Sequence, residues 1–323
     1  MTDLEQSRTV LVTGAAGLIG VPVIRYLRRS GFEVVAVDDG SAGTLRRLRE
    51  FSGCPDVTVR VIDIRHGAEL AGLVAAESPW GVIHLAARHF IPECDRLPSE
   101  TLGINVMGTQ NLIDACVAHP PRRVVFASTA DVYEVSSDPH HESSPVGPLG
   151  VYGCSKLMGE RLLCDQAFRL KGCGITIARL FNVYGPGDPH PHLIPELVHQ
   201  FRRGQNLRLG DLKSARDFVY VDDAAEALVT LLEADRSGVF NVGTGVATHG
   251  YEVLKMVAGL MGRAAAVEVD SDRLRRRARP VSCATPDRLR ELLPGWPRMT
   301  MREGIKRVIE IDSDTDEPRW RAS

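Results

Sequence analysis

Tyr152 and Lys156 stand four residues apart at the start of a run, Tyr152 to Lys171, that reads as a long helix, and i, i+4 spacing puts both on one face. An ammonium beside a phenol favours the phenolate, so such a pair could take a proton from a hydroxyl as a general base. Taken alone, the spacing also describes an ordinary surface helix.

A second cluster supplies what that chemistry needs. Thr13-Gly14-Ala15-Ala16-Gly17-Leu18-Ile19-Gly20 follows an apolar, β-branched run and opens an amphipathic one. Glycines there can provide a tight turn, backbone access to a pyrophosphate and close helix packing, with the helix N-terminus facing the phosphates. The spacing is G-x-x-G-x-x-G, and a structural turn is the alternative. The next strand ends in Asp38, eighteen residues beyond Gly20, where a carboxylate can accept from adenosine ribose hydroxyls and repel a 2′-phosphate, which favours NAD over NADP. Against this, Asp38 and Asp39 could cap the following helix, and Arg46 or Arg47 could meet a phosphate. Asp63, ending the third strand, is placed for the adenine edge or for a turn. An oxidised nicotinamide near Tyr152 would add positive charge in the direction that favours phenolate.

The elements that must hold these residues follow from alternation. Thr9 to Thr13, Glu33 to Val37, Val57 to Ile62, Gly81 to Leu85 and Arg123 to Ala127 read as strands separated by amphipathic helices. Continuous apolar strands imply burial on both faces and parallel βαβ units, hence an α/β fold with a Rossmann-type doubly wound parallel sheet. A further strand, Gly174 to Leu180, precedes the Pro- and Gly-punctuated Asn182 to Pro195, where a smaller, interleaved α/β C-terminal domain is expected to begin. The division predicted is 1–181 with 217–247 returning to it, 182–216 and 248–311 as the substrate domain, α-rich in its last part, and 312–323 as a mobile tail.

The 323 residues are 44 % hydrophobic and 25 % charged with a net charge of −2, ordinary globular values that exclude a general electrostatic preference for nucleic acid or an acidic membrane. Seven cysteines without a C-x-x-C pair read as reduced thiols in a cytoplasm. The N-terminus has neither the basic start nor the apolar run of a signal peptide, and no stretch approaches a membrane span. His140, His141, His190 and His192 invite a metal reading, but no carboxylate or cysteine stands at ligand spacing and no metal is expected.

The order of motifs resembles the extended short-chain dehydrogenase/reductase family, in the NAD-dependent epimerase/dehydratase branch typified by UDP-galactose 4-epimerase. TGAAGLIG, VDD (Val37 to Asp39), HLAA (His84 to Ala87), INVMGT (Ile104 to Thr109), STADVY (Ser128 to Tyr133), YGCSK (Tyr152 to Lys156), RLFNVYGPG (Arg179 to Gly187), RDFVYVDD (Arg216 to Asp223) and NVGTG (Asn241 to Gly245) fall in the family's order over nearly the whole chain. The resemblance implies a nucleotide-sugar substrate, epimerised most simply at C4 through a transient ketone, with NAD restored each turnover. It makes Tyr152 the base, Thr129 the residue that holds the reacting oxygen, and Lys156 the partner of the nicotinamide ribose. Gly14, Gly17, Leu18, Ile19, Gly20, Asp38, Asp63, Ile64, Leu85, Ala86, Ala87, His89, Asn105 and Phe181 would line the cofactor. Ser128, Asn182, His192, Leu193 and Arg216 would meet the substrate, Arg216 through a bidentate, permanently charged fork. Helices Ser99 to Ala118 and Tyr152 to Lys171 would pair in a homodimer.

Three departures qualify this. Glu134 stands where relatives have glycine. Dehydratases of the branch carry Asp then Glu after the catalytic threonine, whereas this chain has Ala130 and Asp131. Asp131 leaves open an elimination or decarboxylation. Relatives' Arg-Pro-Gly-Asp-like stretch is replaced by LRRRARPV (Leu274 to Val281), in which Arg275, Arg276, Arg277 or Arg279 could reach a diphosphate or form a solvated basic face. From other classes, a non-catalytic dinucleotide sensor and a net oxidoreductase are the rivals.

Overall fold

The computed structural model describes residues 8–311 except 43, 205, 211, 265–266 and 271–278, so the expected tail after Ile311 and Arg275, Arg276 and Arg277 lie outside the described residues. Along the chain run β1 (Thr9–Thr13), α1 (Gly20–Arg29), β2 (Glu33–Asp38), β3 (Val57–Val61), α2 (Gly67–Glu77), β4 (Gly81–His84), α3 (Ile91–Arg96), α4 (Pro98–Leu102), α5 (Gly108–Ala118), β5 (Arg123–Thr129), α6 (Val151–Asp165) and β6 (Gly174–Leu180). Then come β7 (Asn182–Tyr184), α7 (Leu193–Arg202), β8 (Leu207–Leu209), β9 (Ala215–Tyr220), α8 (Val221–Glu233), β10 (Gly238–Val242), β11 (Ala247–His249), α9 (Gly250–Met261), β12 (Val267–Val269), β13 (Val281–Ser282), α10 (Asp287–Leu292) and α11 (Met301–Ile311).

Two compact units result. The first comprises Met1–Val132, Pro148–Arg179 and Ala225–Phe240. Its sheet has the order β10-β6-β5-β4-β1-β2-β3, with parallel pairing from β3 through β5. This is the doubly wound arrangement, and the strand order reverses between β1 and β4, where ligands of such sheets bind at the carboxyl ends. Leu11, Val35, Val82, Phe126 and Ile177, each at most 2 % exposed, form the core between sheet and helices, each worth roughly 1.5–3 kcal/mol of burial. Burial on both faces fails at β3, which is the sheet's edge and exposes Val59 and Val61.

Two expected helices are interrupted. The α-helix that opens at Val151 stops at Asp165, and a 3-10 turn, Ala167–Arg169, folds Leu170 into the core. There Gln166 bonds Gln110 of α5 and accepts from Arg169. Ser99 to Ala118 is divided by a π turn, Gly103–Met107, in which Asn105 is buried. Such turns widen a helix locally and gather at functional sites.

The second unit comprises Tyr133–Gly147, Leu180–Ala224 and Asn241–Ser323. A small sheet, β11-β9-β13 with β7 also on β9, is joined by a β8–β12 pair, so strands accompany the helices where an α-rich lobe was expected. Asp217 of β9 is fully buried, and its carboxylate accepts from the backbone N–H of Thr244, Gly245 and Ala284 and from the Thr244 hydroxyl. The Tyr133 hydroxyl donates to Asn241 at 2.6 Å and the Tyr133 ring stacks on His140. These bonds explain why Tyr133–Gly147 and Asp217 keep company with the second unit rather than with the first, where the division predicted from sequence put them. Glu134 packs its side chain over Gly147, filling the space a Cβ there would need. Among the described residues no helix is long and apolar enough to cross a membrane.

Candidate active site

The glycine turn lies at the end of β1, and each glycine has its own reason. Gly14 takes φ +70°, and a Cβ on it would fall 2.6 Å from the backbone nitrogen of Ala86. A Cβ on Gly17 would stand 3.1 Å from the Gly14 carbonyl oxygen, to which the Gly17 N–H donates. A Cβ on Gly20 would meet the carbonyl oxygens of Ala15 and Gly14 at 2.4 and 2.5 Å. Helix α1 therefore starts hard against the turn, with Ile19 at its N-cap, no side chain capping it and no acid in its first turn. Its first N–H groups are left to an anion. Gly20→Ala should abolish dinucleotide binding and lower the unfolding temperature, measured by NAD titration and thermal melts, because a backbone clash cannot be relieved by a rotamer.

Asp38 is drawn into this turn. Its carboxylate accepts from the N–H groups of Ala16 (3.0 Å) and Gly40 (2.9 Å), while burial raises its pKa above the usual carboxylate value. It caps the glycine turn itself rather than a following helix. Arg65 donates from Nε to both oxygens of Asp63 and from Nη2 to Oδ2, which holds that carboxyl below its ordinary range. Ile64 is buried against Gly108.

A buried polar chain that the sequence reading did not contain ties this turn to α6. Ala86 donates to Thr13 Oγ1 (3.3 Å), Thr13 contacts His84 Nδ1 (2.6 Å), His84 Nε2 contacts Thr109 Oγ1 (3.0 Å), and Thr109 donates to the Asn105 carbonyl (2.7 Å). With Thr109 donating onward, donor and acceptor roles along the chain assign His84 as neutral with its proton on Nε2. Burial, helped by the Lys156 charge, pushes its pKa down to about 3. The Asn105 amide donates to the Arg88 carbonyl and to Ser155 Oγ, its oxygen accepts from the Arg88 N–H, and Ser155 donates to the Tyr152 carbonyl. Leu85 and Ala87 flank Ala86 after β4, and His89 is exposed.

Helix α6 approaches β5 closely because Gly153 and Gly159 face it. A Cβ at Gly153 would stand 2.6 Å from the Asp131 carbonyl, and one at Gly159 2.6 Å from the Phe126 ring. That approach brings the Tyr152 phenol to the Thr129 hydroxyl and seats the Lys156 Nζ 4.1 Å from the Phe126 ring centroid. Burial of its hydroxyl and then the charge of Asp131 raise the Tyr152 phenol above its ordinary range, and the Thr129 hydrogen bond only partly offsets them. Lys156 is 3 % exposed, and burial pushes its amine down to about 7 against the opposing charge of Glu160. The expectation was that the Lys156 ammonium, with an oxidised nicotinamide nearby, favours the phenolate; in the protein by itself desolvation dominates both groups.

Ser128, expected at the substrate, is turned to α6 instead. It is 2 % exposed and donates to Glu160 at 2.5 Å. Within the second unit, Phe181 is buried, Asn182 is exposed on β7, and Arg216 is half-buried on the neighbouring β9 with one nitrogen on its own chain's Ala215 carbonyl. His192 lies just before Leu193 at the start of α7, its Nδ1 2.7 Å from the buried carboxylate of Asp188, a partner the spacing argument overlooked. Arg279 is buried and donates to the carbonyls of Tyr133 and Glu134.

Comparison with known proteins places these features. The chain is 33 % identical over 310 residues to a UDP-glucose 4-epimerase of Mycolicibacterium smegmatis, covering 93 % of this chain and 97 % of that one. It is 27 % identical over 326 residues to a UDP-N-acetyl-alpha-D-glucosaminuronate decarboxylase of Bacillus cytotoxicus, covering 94 % and 98 %. The crystal structure of a Thermus thermophilus UDP-glucose 4-epimerase in complex with NAD superposes with a TM-score of 0.85 at 28 % identity, covering 95 % and 100 %. The model of the NAD dependent epimerase/dehydratase family matches residues 10–243, and this chain, an enzyme with the glycine turn, Thr129, Tyr152 and Lys156 in place, belongs to that family.

Proposed function

We propose that the chain is a nucleotide-sugar 4-epimerase. The observation that carries this reading is the Thr129–Tyr152 pair beside Lys156, in a strand-end motif whose first acidic dehydratase position is occupied by Ala130. Thr129 holds the C4 hydroxyl oxygen and Tyr152, as phenolate, accepts its proton. Bound NAD supplies a hydride acceptor and, through its positive ring, the charge that offsets Asp131 and desolvation at the phenol. Lys156, with its ammonium unspent on protein hydrogen bonds among the described residues, faces the ribose. Asp38, Asp63 and Asn105 serve the cofactor, and Arg216, Asn182, His192 and Leu193 serve the substrate diphosphate and sugar. Arg279 is withdrawn from that set, since its guanidinium already serves the carbonyls of Tyr133 and Glu134.

Incubation with catalytic NAD and a panel of nucleotide-sugars, read by mass spectrometry and proton NMR, tests the reading. A product of unchanged mass, inverted at C4, is expected. Loss of water or carbon dioxide would replace the reading with one in which Asp131, close enough to act on the Tyr152 phenol, is the second acid–base group.

The same reading includes a cytoplasmic homodimer, supported by seven free thiols and by an apolar groove on α6. Val106, Pro148, Cys154, Leu157 and Met158 line that groove, and Met107 and Met158 are 56 % and 48 % exposed. Met158→Glu should convert a dimeric elution and light-scattering mass to a monomeric one.

A further inference from the structure

Lys156 is required as a cation in a place that disfavours cations. Burial lowers its affinity for the proton, and one charge acts the other way: Glu160, a helical turn further along α6 and 4 % exposed. The remaining groups around the amine do not supply a counter-charge. Tyr152 on α6 is a neutral phenol in the protein alone, His84 on β4 is held neutral, Cys94 on α3 is a thiol held up to about 11, and Thr129 on β5 is uncharged. Asp131, beyond β5, acts on Tyr152, and Arg179 on β6 is spent on Glu160.

A carboxylate can be buried this deeply only if both oxygens are satisfied. Here they are. Arg179 donates from Nε to Oε1 (3.0 Å) and from Nη2 to Oε2 (2.7 Å), and Ser128 donates to Oε1 (2.5 Å). A bidentate fork fixes the carboxylate in position as well as neutralising it in part. On the other side the Lys156 amine lies over Phe126, whose ring is held against Gly159, a contact that favours the cation and is strongest when desolvated.

We propose that Glu160, locked by Arg179 and Ser128 one turn from Lys156, is a positioning residue that keeps Lys156 a cation in its seat over Phe126. The proposal rests on the reading of Lys156 as a charged group of the active site, but its test needs neither cofactor nor sugar. The full-length protein is acetylated with trace acetic anhydride across pH 5–10, and mass spectrometry of the Lys156 peptide gives the midpoint of amine titration.

Glu160→Gln keeps the shape and most hydrogen bonds, and it should lower that midpoint by about 1 pH unit, tenfold in proton affinity. Glu160→Asp should restore most of the shift. Should the single substitution fail to fold, E160Q/R179M removes both charges together, a replacement that buried pairs tolerate, and it should show a fall in the same direction, smaller because the Arg179 cation leaves with the carboxylate. A midpoint within about 0.3 unit of wild type in a folded variant lacking the carboxylate overturns the proposal. A clear fall, in a protein that epimerises nothing on the panel, sustains it and removes only the assigned reaction.

Discussion

Tyr152→Phe should lower turnover by roughly a thousandfold or more while NAD binds within a few-fold of wild type, since general-base groups contribute about 10²–10⁴. The reason is geometric. The Tyr152 hydroxyl lies by Thr129, whereas the dinucleotide contacts proposed above come from the turn at Gly14 to Gly20 and the start of α1. Steady-state rates and NAD titration by calorimetry separate the two effects. Equal loss of both would assign Tyr152 a role in binding instead. The wild-type rate should also climb with pH as the phenol ionises, and Asp131→Asn should move that rise to lower pH, because the Asp131 charge disfavours the phenolate.

Lys156→Met should be inactive and more stable. The amine titrates at about 7 in the fold against an ordinary value of 10.5. Below pH 7 both states carry the proton, and the folded state bears the full cost of the buried charge, roughly 5 kcal/mol by the usual conversion. Between the two values the unfolded chain binds more protons, so stability rises with pH and the cost fades towards pH 10.5. The substitution also removes the contact with Phe126, so a gain in unfolding temperature of about 5 °C near pH 6.5 is expected, shrinking towards zero near pH 10. Thermal melts at the two pH values decide it, and an equal gain at both would mean that packing rather than charge is responsible.

Much of the frame was legible because the signals are local. β1 and β6 were bounded to the residue by their β-branched runs, and the glycine turn, Thr129, Tyr152 and Lys156 were each recognisable in a short window. What escaped depends on partners far along the chain. Thr13 meets His84 71 residues on, and Asn105 meets Ser155 50 residues on. No periodicity reports such pairs. The π turn at Asn105 was hidden for the same reason: its cause is the Arg88 backbone, not the helix's own sequence. Ser128 was assigned to substrate by motif order, and only the fold shows Glu160 taking its hydroxyl. Gly153 and Gly159 in α6 were a usable signal, since small residues in a helix announce a close approach.

The most direct test of the epimerase reading follows the hydrogen at C4. A nucleotide-sugar carrying deuterium at that carbon is turned over with catalytic NAD, and the epimer is isolated for NMR and mass spectrometry. Deuterium should remain at C4 of the inverted product, with no solvent hydrogen incorporated and no net reduction of NAD. Washout of the label, or a product formed in step with NADH, would contradict a 4-epimerase that regenerates its own cofactor.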